Sequence, residues 1–302
     1  MISIIISSVN KANLQQVSEN INATIGVPFE IIATDNSEGK QGICEVYNKG
    51  MMRAQYDILC FIHEDVLIKT NNWGQKLLAL FEQDPKLGLV GIAGSSYKPL
   101  APSGVGGIGV NTHYSNLIQS YKYKKQKSKH VYSNPDKQQS PAEVVCVDGV
   151  FMVTTRGIAE EFMFDEITFK KFHAYDIDFS LSVSQKYKVA VTFDILLDHF
   201  SEGLYDDRWM QENLKLHNKW NKHLPIKACN LTHEQVFLIE KSTFKTFIDE
   251  LIKFNYPIST AFKMLWKNKR FFQLDSALFF KLKFYIIKKY LKSKPSLASY
   301  IW

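Results

Sequence analysis

Apolar and polar positions change register in blocks along the first half of the chain. Short β-branched runs alternate with stretches of helical period, and this predicts an α/β domain with a largely parallel sheet. Residues 3–9 read as the first strand, 14–25 as a helix, 29–34 as a second strand ending at Asp35, and 42–55 as the next helix. Residues 57–62 are almost wholly apolar, as in a central strand buried on both faces, and stop abruptly at His63, Glu64 and Asp65. A helix over 71–83 and a strand over 87–93 follow, then a loop rich in Gly, Ser and Pro over 94–109 and an exposed Tyr- and Lys-rich loop over 121–129. Strands over 142–147 and 151–155, a helix over 179–187 and a strand over 189–193 complete the succession ahead of Asp198 and His199.

The pattern changes from Ser242 onward. Fifteen of the forty aromatics fall there, mixed with lysine in segments of helical length such as 276–291. The chain is therefore expected to divide into an α/β domain over 1–225 and a helical region over 226–302, with the boundary near Pro225. Charge divides in the same place. From Lys241 to the end thirteen Lys and Arg face three Asp and Glu, so the tail carries +10 of a chain whose net charge is +7, and the residues before it carry −3.

With 302 residues, 45% of them hydrophobic, the chain can bury a large core. No run approaches the ~18 apolar residues of a spanning helix. The apolar start lacks basic residues before it and is broken by Ser3, Ser7 and Ser8, so it reads as a strand and not as a secretory signal. Cys44, Cys60, Cys146 and Cys229 show no paired metal spacing. A reducing, cytoplasmic setting is expected.

The chemistry concentrates where strands end. Ligands of open α/β sheets bind beyond the carboxyl ends of the strands, and Glu64 and Asp65 stand there after the most apolar run, where an acid can hold a hard cation. An acidic surface turn is the alternative on spacing alone. Asp35 ends a second strand, and Asp148 with Gly149 a third. Carboxylates converging on one edge repel unless a cation or donors compensate, which favours a metal and nucleotide site. Asp176 and Asp178 precede an apolar helical stretch. Asp178 is placed to cap that helix, and Asp176 to act as a general base. His199 follows a strand, before the turn Ser201-Glu202-Gly203, and either packs or ligates a metal beside Asp65. Gly104-Val105-Gly106-Gly107-Ile108-Gly109 matches the dinucleotide pattern letter for letter, but no strand feeds it and it reads as a mobile loop.

Taken together these residues resemble the glycosyltransferase superfamily with the GT-A fold, specifically its family-two-like inverting members. The likeness covers roughly residues 1–220 and is most specific over 42–66, through Tyr47-Asn48-x-Gly50, Ala54, Asp57 and Phe61-Ile62-His63-Glu64-Asp65-Val66. It implies a Rossmann-like, mostly parallel central sheet with flanking helices, and a nucleotide-sugar donor, UDP-linked by family habit. By the same likeness Ser7 and Ser8 line the base pocket, Asp35 bonds the nucleobase, Glu64 approaches the ribose, and Asp65 with His199 binds Mn²⁺ or Mg²⁺. Asp148 and Gly149 face the sugar or acceptor, and Asp176 is the catalytic base. The chain departs from the family twice. His63 stands where the usual acidic motif begins with Asp, and Tyr175 stands where an acid commonly precedes the base.

The basic, aromatic tail suits helices lying in an anionic lipid interface at the inner face of the cell membrane, with a glycan or lipid-linked glycan as acceptor. Trp266, Phe271, Phe272, Phe279, Phe280, Phe284 and Tyr285 are the aromatics expected there. Packing of the same aromatics on the catalytic domain or on a second subunit is the alternative. A nucleotidyltransferase is disfavoured because Val9-Asn10-Lys11-Ala12-Asn13 holds no glycine for a phosphate loop. A nucleic-acid-binding module leaves the strand-end acids unexplained, so no nucleic-acid partner is expected. A transferase relative that binds the donor without transferring it stays open.

Overall fold

The computed structural model of the chain describes residues 1–122, 125–201, 203 and 205–293. Tyr123 and Lys124 of the basic loop, Glu202 of the turn after His199 and residues 294–302 of the tail lie outside the described residues.

In chain order the first elements are β1 (Ile2–Ser8), α1 (Lys11–Thr24), β2 (Phe29–Asp35), α2 (Ile43–Arg53), β3 (Ile58–Ile62), β4 (Val66–Ile68), α3 (Trp73–Gln83) and β5 (Leu87–Gly91). The middle of the chain forms β6 (Ala93–Ser95), β7 (Tyr97–Lys98), β8 (His113–Gln119), β9 (Lys129–Ser133), β10 (Ala142–Val144), β11 (Cys146–Val147) and β12 (Phe151–Thr155). Then come α4 (Arg156–Phe162), α5 (Tyr175–Val183), β13 (Lys188–Val191), β14 (Leu197–His199), α6 (Asp207–Trp220) and β15 (Ile226–Lys227). The C-terminal helices are α7 (His233–Lys253), α8 (Ile258–Trp266), α9 (Arg270–Leu274) and α10 (Ser276–Ser293). Side-chain capping sets several starts: Asn10 accepts from Ala12 and Asn13 ahead of α1, and Thr232 and Gln235 form a reciprocal capping box ahead of α7.

The main sheet has seven strands in the order β10-β13-β5-β12-β3-β1-β2. β2, β1, β3, β5 and β13 run in one direction, while β12 and β10 are reversed. The sheet is thus mostly parallel, with β12 wedged antiparallel between β3 and β5. Its strands are apolar on both sides because both faces are covered. Ile4, Ile6, Cys60 and Ile62 pack toward α1 and α3, and Ile5, Leu59 and Phe61 toward α2, α5 and the C-terminal helices.

A second sheet, β11-β6-β8-β14-β4 with β9 on β8, stands beyond the strand ends, and β15 pairs with β7. It accounts for one departure from the sequence pattern. The stretch expected as a loop over 94–109 begins with β6 and β7, which pair with β8 and β15. The basic stretch over 121–129 connects the hairpin β8–β9.

The glycine-rich run is a loop, as expected, and it is packed against its surroundings. It lies against α7, where Thr243 Oγ1 accepts from the Ile108 backbone N–H at 2.8 Å and a Cβ on Gly107 would come within 2.3 Å of Ile239. Glycine is needed there for close approach to the helix. The C-terminal helices share the main core: Phe244, Phe247, Leu278, Phe279, Leu282 and Ile286 belong to the same buried cluster as Tyr47 and Phe61.

Buried polar groups fix this junction. Glu240 of α7 accepts from Tyr97 Oη at 2.8 Å, Leu100 N at 2.9 Å and Ala101 N at 3.3 Å. Lys98 donates to Ser103 O at 2.8 Å and Gly104 O at 2.6 Å, and His217 of α6 accepts from Ser103 N at 3.3 Å. Burial raises Glu240 to about 7 and lowers Lys98 to about 8. A buried donor left without its acceptor costs about 1–3 kcal/mol, and Glu240→Ala strands three of them. Urea unfolding of this variant is expected to show a loss at the top of that range or above. A loss within experimental scatter contradicts the assignment of Glu240 as the fastening point.

Candidate functional site

The edge formed by the carboxyl ends of β1, β2 and β3 gathers the strand-end residues. Ser8 and Asp35 are register partners at the ends of β1 and β2. Ser7 is partly buried beside Thr34, and Asp35 is exposed, its carboxyl held below the usual range by hydrogen bonds from Ser37. β12 arrives antiparallel, so Asp148 and Gly149, which precede it, stand at the same edge, and His63 N donates to Val150 O at 3.2 Å.

Past Ile62 the chain leaves the sheet and its side chains divide. Glu64 turns inward, where it accepts from Ser8 Oγ at 2.7 Å and from the backbone N–H groups of Val9 and Asn10 at 3.2 Å each. This carboxylate therefore organises the β1–α1 connection. His63 and Asp65 meet His199, and the ligand-capable atoms of the three lie within 4.8 Å of one another. Asp65 Oδ1 stands 3.9 Å from His63 Nδ1 and 3.7 Å from His199 Nε2. The second sheet supplies His199, since β14 pairs with β4 so that His199 faces Val66, and Phe200 N donates to Asp65 O at 2.9 Å.

This set fits a divalent cation. One carboxylate and two imidazoles are an oxygen and nitrogen donor set that a divalent metal ion can take, and bonds of about 2.1 Å hold ligand atoms about 3–4 Å apart, close to the separations found. Burial first, then the neighbouring His199, lowers His63 below the ordinary imidazole value, which favours the neutral ring with a free lone pair.

His63 was not expected as a ligand and stands in the sequence as a departure from an acidic motif. Its far nitrogen, Nε2, lies 2.9 Å from Tyr175 Oη. The second departure, Tyr175, therefore tethers the helix that carries Asp176 to the candidate metal centre. Tyr175 also packs on Gly149, where an added Cβ would lie 2.1 Å from Tyr175 Oη, so no other residue fits at Gly149 without displacing the tether.

α5 begins at Tyr175, four residues earlier than the apolar pattern indicates, which places Asp176 and Asp178 in its first turn. Asp178 does not cap the helix. The capping position is Ala174, in the left-handed conformation, and the buried Asp178 bonds Trp220 Nε1 at 2.7 Å and Lys219 Nζ at 2.8 Å. Asp178 thus fastens α5 to α6. Asp176 Oδ2 accepts from Gly149 N at 2.9 Å. Burial, with Asp148 close by, raises its carboxyl to about 7. Such a group exchanges a proton near neutral pH, as a general base must.

A family model described as a glycosyltransferase-like family matches residues 3–226. Over 216 residues the chain is 25% identical to the ATP synthase subunits region ORF 6 protein of Fuscovulum blasticum, covering 69% of this chain and 78% of that one. Among solved structures, the mannosyltransferase PcManGT from Pyrobaculum calidifontis in complex with GDP-Man and Mn²⁺ is 10% identical, with 97% of this chain and 86% of that chain covered and a TM-score of 0.47. S. aureus TarS 1-349 is 10% identical, covering 98% and 92%, with a TM-score of 0.46. GalNAc-T7 with UDP, GalNAc and Mn²⁺ is 12% identical over 68% of this chain, which spans 44% of that chain, with a TM-score of 0.46.

Three outcomes are expected at this site. Replacing His63, Asp65 or His199 singly by Ala should weaken Mn²⁺ binding at least about tenfold, read from the free-ion electron paramagnetic resonance signal, while Asp35→Ala leaves it unchanged. Sugar transfer should rise with pH and level off above about 7, because Asp176 is ionised only above its raised value. Asp176→Asn should abolish transfer and retain donor binding; a variant that transfers at the parental rate removes Asp176 from the chemistry.

Proposed function

The chain belongs to the glycosyltransferase-like family, and from that premise we propose that it moves a sugar from a nucleoside diphosphate to an acceptor hydroxyl, with a divalent cation bound and with inversion at the anomeric carbon. The observation that carries this reading is the convergence of His63, Asp65 and His199 with Asp176 and Asp148 on one sheet edge, where Tyr175 bridges the two groups.

In this reading Asp65, His199 and His63 hold Mn²⁺ or Mg²⁺, which when bound supplies positive charge for the departing diphosphate. If His63 lent its Nδ1 to such a cation, its Nε2 would carry the proton and donate to Tyr175 Oη, which would fix the ring. Asp35, Ser7 and Ser8 line the nucleoside end. Glu64 acts through the loop it organises, holding Val9 and Asn10 where the ribose enters. Asp148 and Gly149 border the sugar. Asp176 takes the proton of the acceptor hydroxyl as that oxygen bonds to the anomeric carbon and the bond to the diphosphate oxygen breaks. The Gly149 N–H keeps its carboxylate aimed.

A glycan or lipid-linked glycan acceptor, a UDP-linked donor and a position at the inner face of the cell membrane complete the proposal. No helix among the described residues is long and apolar enough to cross a membrane. Support for the membrane face comes from the tail, with one revision. Phe271 and Phe279 are buried, whereas Trp266, Phe272, Phe280 and Phe284 are exposed.

Calorimetric titration of UDP and of GDP, with and without Mn²⁺, tests the donor site. Metal-dependent binding of one diphosphate, lost in Asp65→Ala, is expected, and failure to bind either would sink the transferase reading. The anomeric configuration of the product, read by NMR, tests inversion.

A further inference from the structure

α10 carries two apolar stripes. Leu278, Phe279, Leu282, Ile286 and Tyr290 face inward and are buried. Phe280, Phe284, Ile287 and Leu291 recur at steps of four, three and four residues, which aligns them on one side of the helix. They are 48%, 68%, 37% and 71% exposed. A single exposed apolar side chain needs no explanation, but a continuous stripe over three turns does.

Beside that stripe, α7 and α10 enclose a groove of about 260 Å³ lined by Lys241, Lys245, Lys281 and Lys288, with Tyr285 and Phe284. Among the described residues none of these four lysines pairs with a carboxylate. Asp249, the acid nearby on α7, is taken by Lys289 at 2.7 Å. The cations are held over rings instead: Lys245 lies 4.9 Å from the Tyr285 centroid, and Lys281 lies 5.0 Å from that of Phe237. Like charges one helical turn apart, as at Lys241 and Lys245, oppose each other. The groove therefore concentrates positive charge that no carboxylate among the described residues offsets, next to an exposed apolar stripe.

We propose that this groove binds the phosphate of an anionic phospholipid while Phe280, Phe284, Ile287 and Leu291 enter the acyl boundary of the same leaflet. Charge complementarity selects the occupant. A second copy of this chain would bring the same four lysines, and a neutral apolar partner would leave them unmatched. The inference deepens the membrane part of the proposed function and names the surface that carries it, independently of the transfer chemistry.

Co-sedimentation of the full chain with phosphatidylcholine vesicles, with and without phosphatidylglycerol, tests it. Binding is expected only with phosphatidylglycerol and should fall with salt. A lysine at an anionic surface contributes about a fivefold change in affinity, so Lys241→Glu with Lys288→Glu should weaken binding by more than about tenfold. Phe284→Asp, on the apolar stripe, should do the same. Vesicle binding that both variants retain, or none by the parent, overturns the proposal. So do two other results without vesicle binding: inorganic phosphate held by the lysines, which points to a soluble anion, and a dimer in sedimentation velocity that Phe284→Asp dissolves. Metal-dependent UDP binding measured on the same preparations should be unchanged. Its absence from the parent counts against sugar transfer, and its presence without vesicle binding counts against this groove alone.

Discussion

The site depends on one buried carboxylate. Glu64 receives a hydroxyl and two backbone N–H groups from the end of β1 and the start of α1, and this ties the outlets of two adjacent strands together. The chain bends between β3 and β4, and with Glu64 fixed inward His63 and Asp65 meet His199 on β14. A carboxylate accepting several protein donors is strongly held, so His63 and Asp65 are placed by a residue outside the candidate metal set.

The antiparallel strand β12 provides the second half of the arrangement. Its reversal brings Asp148 and Gly149 back to the edge where β3 ends, and the glycine leaves room for Tyr175 to reach His63. The first turn of α5 is thereby joined to the strand end at two points: Tyr175 to His63, and Asp176 to the Gly149 N–H. Asp178 adds a third anchor on α6. A candidate base and a candidate metal centre linked in this way are held in one geometry, the kind of preorganisation that transfer to a correctly placed hydroxyl requires.

The helices after β15 do more than extend the chain. Glu240 fastens the segment from Tyr97 to Ala101, and the glycine-rich run lies along α7, so the wall of the fold beside the second sheet is built from both parts of the sequence. The same α7 turns Lys241 and Lys245 outward next to Glu240. One helix thus joins the inner polar fastening to the basic outer groove.

The alternation of apolar runs with helical periods was enough to locate the α/β succession, because a doubly covered strand and an amphipathic helix leave different local patterns. It also identified the acids, since an abrupt change from apolar to charged residues marks a strand end. Asp65 and His199 were legible in this way, and the structure does bring them together. The partnership of His63 with them was not, because it depends on how the chain bends between β3 and β4. The role of Tyr175 depends on the reversal of β12, and the start of α5 is hidden by Ala174 adopting a left-handed conformation that sequence seldom signals. Which aromatics of the tail are buried was likewise undecided by composition. Phe279 and Phe280 are neighbours of the same kind, and the helix rotation set by packing against α7 puts one in the core and the other in the open. The sequence by itself determined the strands of the main sheet and the residues able to do chemistry; only the tertiary structure decided the second sheet and which of those residues meet, because both are made by contacts that no local pattern encodes.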